Sequence, residues 1–447
     1  MESKKKVPLL NKFAYGLGTG GGCVFNQIAA AFLLQYYTDT ALISAGAIAT
    51  MFLVCRVFDG ISDFLMGGLI DKTHTKLGKA RPWLIASGPL TLLGIFLLMN
   101  VPMALSEGGK LVYAYITYIF MNVIVYTIYG IANTALLPLM TRDRDDSTML
   151  ATFSAIGNNG IGLIAGTAIT PLVLNFGWTV ASIVLGAVAC ALILCSGLLN
   201  KEVDTGAEGG PVTEAVPMSQ QLPAVLKNRY FWLLLLIGVF SLLMNANAIG
   251  GQIFFCNVVL GNPMFMTVLM TAGQLPGFII MFAMPAISKR WSKQVFLGMG
   301  AVLLTVGFAV TGLAGDNTTM IVVGTVIRAF GAGPLLSAVF ALVPDVVEYG
   351  YWKTGIRSEG LISSAQSIGS KVGIGLGSAL TGWILAAVGY SGGPDAVITD
   401  AIVSAVRFDY TWLGAIFGVV ILVIVLLLNV EKYAPQYRAA AGQNDKH

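Results

Sequence analysis

The sequence predicts an all-α membrane protein of twelve transmembrane helices in two groups of six, and three observations predict it. Of 447 residues, 56% are hydrophobic and 11% charged, where soluble domains carry about a quarter charged, and the mean hydropathy is +0.79. Apolar runs near the ~20 residues that cross a bilayer core recur about twelve times between short polar turns. The long polar connection at residues 200–229, with Glu202, Asp204, Glu208, Glu214, Gly209-Gly210-Pro211 and Pro217, parts the first six runs from the last six.

In order, the runs cover residues 10–38, 44–70, 82–104, 111–139, 148–175, 178–199, 230–258, 263–288, 294–314, 319–346, 359–389 and 408–431. The first, seventh and eleventh exceed one bilayer, so they are expected to tilt or kink. An even number of spans puts both termini on one side. Lys4–Lys6, Lys72, Lys76, Lys79, Arg81, Arg142, Arg144, Lys227, Arg229, Lys289, Arg290, Lys293, Lys353 and Arg357 fall on that side against little more than Lys110 opposite, which predicts cytoplasmic termini. The net charge of +4 therefore implies lipid rather than nucleic acid as the anionic neighbour. Met1–Pro8 is basic but lacks the short apolar core of a cleavable leader, so none is expected.

The loop from Asp71 to Arg81 is echoed by Ser288-Lys289-Arg290-Trp291-Ser292-Lys293 in the second half. Bundles at 1–199 and 230–447, joined by a linker at 200–229 and related about the membrane normal, are the architecture of major facilitator transporters. Glycine, at 53 residues, clusters at Gly16–Gly22, Gly157–Gly166 and Gly369–Gly377; within apolar helices this serves close packing. Phosphate-cradling loops would need a strand-to-helix turn. The five cysteines lie inside apolar runs without metal-type spacing and read as core residues. His74 and His447 leave no histidine relay, and no nucleophile-base pair or metal cluster suggests an enzyme.

Charge inside the spans is where chemistry concentrates. An acid at mid-bilayer costs roughly 2.5–3.5 kcal/mol, and retained ones usually serve ions or protons. In the second span Arg56, Asp59 and Asp63 fall on one helical face with Ser62 at its edge. One arginine does not neutralise two acids, so the surplus carboxylate calls for a cation. Lys371, about 18 Å into the eleventh span, is too deep to snorkel easily and is expected to face the two acids, with Gln366 beside it. Arg328 in the tenth span has two readings, a substrate carboxylate or backbone carbonyls at the outer interface. Asn26 and Gln27, Tyr126, Thr127, Tyr129 and Asn133, Asn158 and Asn159, and Asn245, Asn247 and Gln252 are each as easily helix glue as ligands. Together they suit a polar solute such as a sugar, which needs many hydrogen-bond partners and an aromatic face.

Lys12-Phe-Ala-Tyr15-Gly16-Leu-Gly18, Gln35-Tyr36-Tyr37-Thr38-Asp39, Arg56-Val-Phe-Asp59-Gly-Ile-Ser62-Asp63 and Gly78-Lys79-Ala-Arg81-Pro82-Trp83, with Asp345-Val-Val-Glu348-Tyr349-Gly350 and Ile356-Arg357-Ser-Glu359 in the second half, resemble the glycoside-pentoside-hexuronide:cation symporters, the melibiose permease group. The resemblance implies a coupling-cation site at Asp59, Asp63, Ser62 and Thr127, with Lys371 and Arg56 as charged partners. The ion would be Na+, Li+ or H+, and the two acids would hold a metal ion only for Na+ or Li+; no cofactor is implied. Ser62 stands where melibiose permeases have asparagine, which leaves the ion open. Their sugar-gripping acids in the first and fourth spans and their arginine in the fifth are here Cys23, Gly130 and Ala155, and an aromatic platform is Thr134. That disfavours galactosides and favours another glycoside, pentoside or uronide, read by Asn26, Cys23, Tyr126, Gly130, Asn133, Asn158, Gln366 and Lys371. Lys79, Arg81, Asp345, Glu348, Arg357 and Glu359 are expected in cytoplasmic loops as topology determinants or gates. The expectation is an inner-membrane, monomeric, cation-coupled sugar symporter; a carrier of amphiphilic or anionic solutes such as lysolipids, and a sensor without turnover, are the rivals.

Overall fold

Backbone N–H and C=O groups crossing hydrocarbon must be paired within the protein, and a helix does so segment by segment. The computed structural model describes residues 6–203, 218–288, 291–393 and 396–440. Among these the regular structure is helical, apart from an isolated bridge between Thr75 and Gly78. Lys4, Lys5, Asp204, Glu208, Glu214, Gly209-Gly210-Pro211, Pro217, Lys289, Arg290 and His447 lie outside the described residues.

Helix α1 runs Leu9–Ala31 and bends by 51° into Leu33–Thr40. There follow α2 (Ala45–Asp71), α3 (Arg81–Leu98), α4 (Glu107–Met140) and α5 (Arg144–Leu199), then α6 (Met218–Leu226) and α7 (Arg229–Val259). The remainder are α8 (Phe265–Ser288), α9 (Lys293–Leu313), α10 (Thr318–Thr354), α11 (Glu359–Ala387) and α12 (Asp400–Tyr437). Among the described residues nine helices are long and apolar enough to cross a membrane, ten with the bent α1 counted as one span. Helix α5, at 56 residues, is broken at Gly177, whose φ of 78° is left-handed, and so holds the expected fifth and sixth spans. With the apolar α8, the helices accommodate twelve spans.

Ends differ from expectation where caps decide them. The third span stops at Leu98 rather than 104, and Ser106 restarts the chain by accepting the Gly109 N–H, so α4 begins at 107. Helix α10 continues past 346 to Thr354, closed by Gly355 at φ 69°, the left-handed cap that suits glycine. Helix α12 begins at Asp400, not 408.

Contacts group the chain into two compact units. One holds Met1–Glu208, Ile249–Thr271 and Ala379–Val406; the other holds Gly209–Ala248, Ala272–Ser378 and Arg407–His447. In the first unit, α1 crosses α5 so closely that a side chain at Gly157 would meet the Gly16 carbonyl, and one at Gly20 would meet Ile161. The same two helices are tied by Lys12 Nζ to Asp146 Oδ1 at 2.6 Å, with both side chains buried. Asp146 also accepts the Val7 N–H at 2.8 Å. The second unit repeats the close approach. Gly300 meets the Gly331 carbonyl and Gly307 the Gly324 carbonyl, so α9 and α10 touch backbone to backbone.

A further device occurs in each unit. The Glu202 carboxylate accepts the N–H groups of Lys79, Ala80 and Arg81 at 2.7, 2.9 and 2.9 Å, capping the start of α3. Glu431 accepts those of Lys293 and Gln294 at 2.9 and 3.0 Å, capping α9. A carboxylate at a helix N-terminus satisfies orphan donors and complements the dipole. Replacing Gly157 by leucine is expected to cost ~3 kcal/mol or more through overpacking. Gly67→Ala, where a Cβ meets nothing within 4 Å, should be neutral or stabilising by up to ~1 kcal/mol. Thermal unfolding of the two variants in detergent checks the contrast.

Candidate functional site

Helix α2 places Asp59 and Asp63 one turn apart, and α4 answers them with a matching pair of polar side chains. Arg56 Nη1 donates to Asp59 Oδ2 at 3.1 Å along the helix. From α4, Asn122 Nδ2 lies 3.1 Å from each oxygen of the same carboxylate. Thr127 Oγ1 donates to Asp63 Oδ1 at 3.2 Å and stands 3.0 Å from Ser62 Oγ. Ser62 Oγ in turn reaches the Asp59 carbonyl at 3.1 Å. Asp59, Asn122 and Thr127 are buried, while Arg56, Ser62 and Asp63 are half-buried.

Residues 119–125 of α4 form a π-helical turn, and that turn makes the match possible. In a regular α-helix five residues rotate by about 500°, leaving positions 122 and 127 about 140° apart. The wider i→i+5 winding brings them toward one face, and such turns recur at functional sites. The result is a cluster of two carboxylates, two hydroxyls and an amide. These are hard oxygen donors suited to an alkali ion or a proton, whereas soft metals prefer sulfur and imidazole. Arg56 Nε is buried without a hydrogen-bond partner among the described residues.

Arg56, Asp59, Ser62, Asp63 and Thr127 are thus brought together as the sequence suggested. The substrate candidates are more dispersed. Tyr126 packs its ring 5.2 Å from Phe25 and 5.7 Å from Tyr129, Cys23 is buried, and Asn26 and Asn158 are exposed. At Gly130 a Cβ would meet nothing within 4 Å. Asn133 Nδ2 is bound at 3.2 Å to Thr19 Oγ1, which lies 3.0 Å from Ser154 Oγ, tying α4, α1 and α5. In the other unit Gln366 is buried, with its amide packed on Gly238, and Lys371 is half-buried.

Of the residues expected in loops or gates, Asp345 and Glu348 lie within α10, which runs on to Thr354, and Arg81 and Glu359 open α3 and α11; all are engaged locally. Arg81 donates to the carbonyls of Gly197, Leu198 and Leu77 at 2.9, 3.2 and 3.3 Å, and Lys79 offers its backbone N–H to Glu202. Asp345 accepts from Lys293 at 2.6 Å and from the Tyr437 hydroxyl at 3.2 Å. Arg357 pairs with Glu348 at 3.0 Å and with Glu359 at 3.6 Å. Arg328 is engaged by side chains rather than by the backbone carbonyls expected as one of its readings. It donates to the Tyr410 hydroxyl at 2.8 Å and lies over the rings of Phe308 and Tyr410.

Sequence reasoning missed Asn122 and Asp409. Asn122 is a lone amide in an apolar run, and at α-helical spacing it shares no face with Thr127. Asp409 looked like the edge of the last span, but with α12 starting at Asp400 it lies inside the helix, buried, accepting from Asn247 at 2.8 Å.

The sequence matches the protein family described as MFS/sugar transport protein over residues 14–432. It is 28% identical to an isoprimeverose transporter of Lactiplantibacillus pentosus, covering 98% of this chain and 92% of that one. It is 27% identical to a glucuronide carrier protein homolog of Escherichia coli (strain K12), covering 93% and 89%. Among solved structures, a nucleoside transporter, NupG, superposes with a TM-score of 0.66 at 14% identity, covering 94% of this chain and 100% of that one. That likeness is one of fold.

Arg56→Met is expected to destabilise the protein by roughly 3 kcal/mol, because it leaves a buried carboxylate without its cation. Adding Asp59→Leu should recover part of that loss. Unfolding of the single and double variants in detergent reads the sign; a double variant less stable than Arg56→Met would contradict it.

Proposed function

Because the chain belongs to the MFS/sugar transport protein family, we propose that it carries a sugar or glycoside across a membrane by cation-coupled symport and alternating access. Its group is the glycoside-pentoside-hexuronide:cation symporters, and it is a transporter rather than an enzyme. The observation that carries the reading is the α2–α4 cluster, where two acids one turn apart meet hydroxyl donors in an apolar span.

Asp59 and Asp63 bind the coupling cation, Na+, Li+ or H+, and Ser62 and Thr127 complete its shell. Arg56 and Lys371 balance the two acids, so that cation binding changes the net charge of the site and hence which conformation is preferred. One charge moved through 100 mV supplies ~2.3 kcal/mol and a tenfold ion gradient ~1.4 kcal/mol, enough for roughly 500-fold accumulation. One cation per sugar therefore suffices.

The sugar is held by Asn26, Cys23, Tyr126, Asn133, Asn158 and Gln366, with room at Gly130. A pentose-containing glycoside or a glucuronide fits the residues better than a galactoside, and the isoprimeverose and glucuronide relatives support that choice. Bundles at 1–199 and 230–447 joined at 200–229 form the transporter. It is a monomer in the inner membrane with both termini cytoplasmic.

The test is uptake of labelled isoprimeverose and a labelled glucuronide into vesicles under imposed Na+ or pH gradients. Uptake should follow one gradient and fall to background in Asp59→Cys and Asp63→Cys. Uptake that ignores both gradients and both substitutions, or that is absent across a broad sugar panel, would overturn the proposal.

A further inference from the structure

The Asp59 carboxylate is met from α4 by an amide, and Ser62 Oγ beside it is directed to the Asp59 carbonyl and to Thr127. Asn122 is 4% exposed, rides on the π-helical turn at 119–125, and sets its nitrogen 3.1 Å from both oxygens of Asp59.

A carboxamide has a donor end and an acceptor end of nearly equal size, and the terminal torsion that exchanges them is broad and roughly two-fold. Facing Asp59 with its NH2, Asn122 holds the carboxylate as a cation would. Turned by half a revolution, the same side chain presents Oδ1 to whatever sits beside Asp59. A proton needs a single carboxylate oxygen, whereas an alkali ion needs several oxygens, and discrimination among such ions follows the number and field strength of the oxygen dipoles around them. The Oδ1 end can accept one hydrogen bond from a protonated Asp59, whereas Na+ or Li+ needs it as one of several oxygens around the ion, so its loss weighs more on the alkali ions.

We infer that Asn122 is the ion-discriminating residue of this site: its carbonyl oxygen joins Asp59, Asp63, Ser62 and Thr127 around an alkali cation, and its NH2 group takes the cation's place when the cation leaves. The inference rests on the symport reading and adds to it the class of the coupling ion, Na+ or Li+, together with the residue that selects it. The alternative is a helix-to-helix tie between α2 and α4 with no ligand role.

The experiment compares half-saturating Na+, Li+ and H+ for uptake of the same labelled isoprimeverose by wild type, Asn122→Ala and Asn122→Ser in vesicles. The ratio of half-saturating Na+ to half-saturating H+ should rise about tenfold or more in Asn122→Ala, in line with the loss of one supporting group at a metal site. It should rise less in Asn122→Ser, which keeps an oxygen and provides the reading should the alanine variant not fold. An unchanged ratio, with uptake falling equally for all ions, marks a tie and overturns the inference. Wild-type uptake that responds to pH and ignores Na+ and Li+ also overturns it, while leaving the symport reading intact. Wild-type uptake indifferent to all three ions sinks the symport reading, and the inference with it.

Discussion

A charge in hydrocarbon needs a partner from the protein, and that requirement organises the polar interior of this molecule. Asp59 lies in an apolar span and receives N–H donors from its own helix through Arg56 and from α4 through Asn122. Lys12 and Asp146 meet at 2.6 Å between α1 and α5. Arg328 finds the Tyr410 hydroxyl and two aromatic faces. A low dielectric strengthens each such contact and penalises each missing one, so these few residues set which helices adjoin and in what register.

Apolar surface alone does little of that work where lipid is as good a neighbour as leucine. Close backbone approach and terminal capping take over. Gly16 and Gly157, and Gly300 and Gly331, let helix backbones touch. Glu202 and Glu431 close the N-termini of α3 and α9 with the same chemistry at corresponding places in the chain. The recurrence of one device in each half is what duplication of a six-helix unit would leave behind.

Much of the candidate site was legible because its residues lie one helical turn apart on one helix, where spacing alone fixes the face. Arg56, Asp59, Ser62 and Asp63 are of this kind. Asn122 was not legible, because a π turn has no residue signature of its own and alters the angular relation on which spacing arguments depend. Asp409 was passed over because a last span starting at 408 puts it at the helix edge, whereas α12 begins at Asp400 and carries it inside. Asn133 read equally well as ligand or tie, and its partner Thr19, more than a hundred residues away, is visible only in the fold.

Hydropathy and helical period along the chain suffice for an all-helical membrane protein, for the approximate course of its helices, and for acids on α2 that need company. Hydropathy and helical period are local properties, and a bilayer enforces them span by span. The tertiary structure decided which amide and which hydroxyl provide that company, since Asn122 and Thr127 reach the acids only after α4 packs on α2 with a widened turn. Partner choice depends on distances between segments far apart in the chain, and periodicity within one segment carries no record of them.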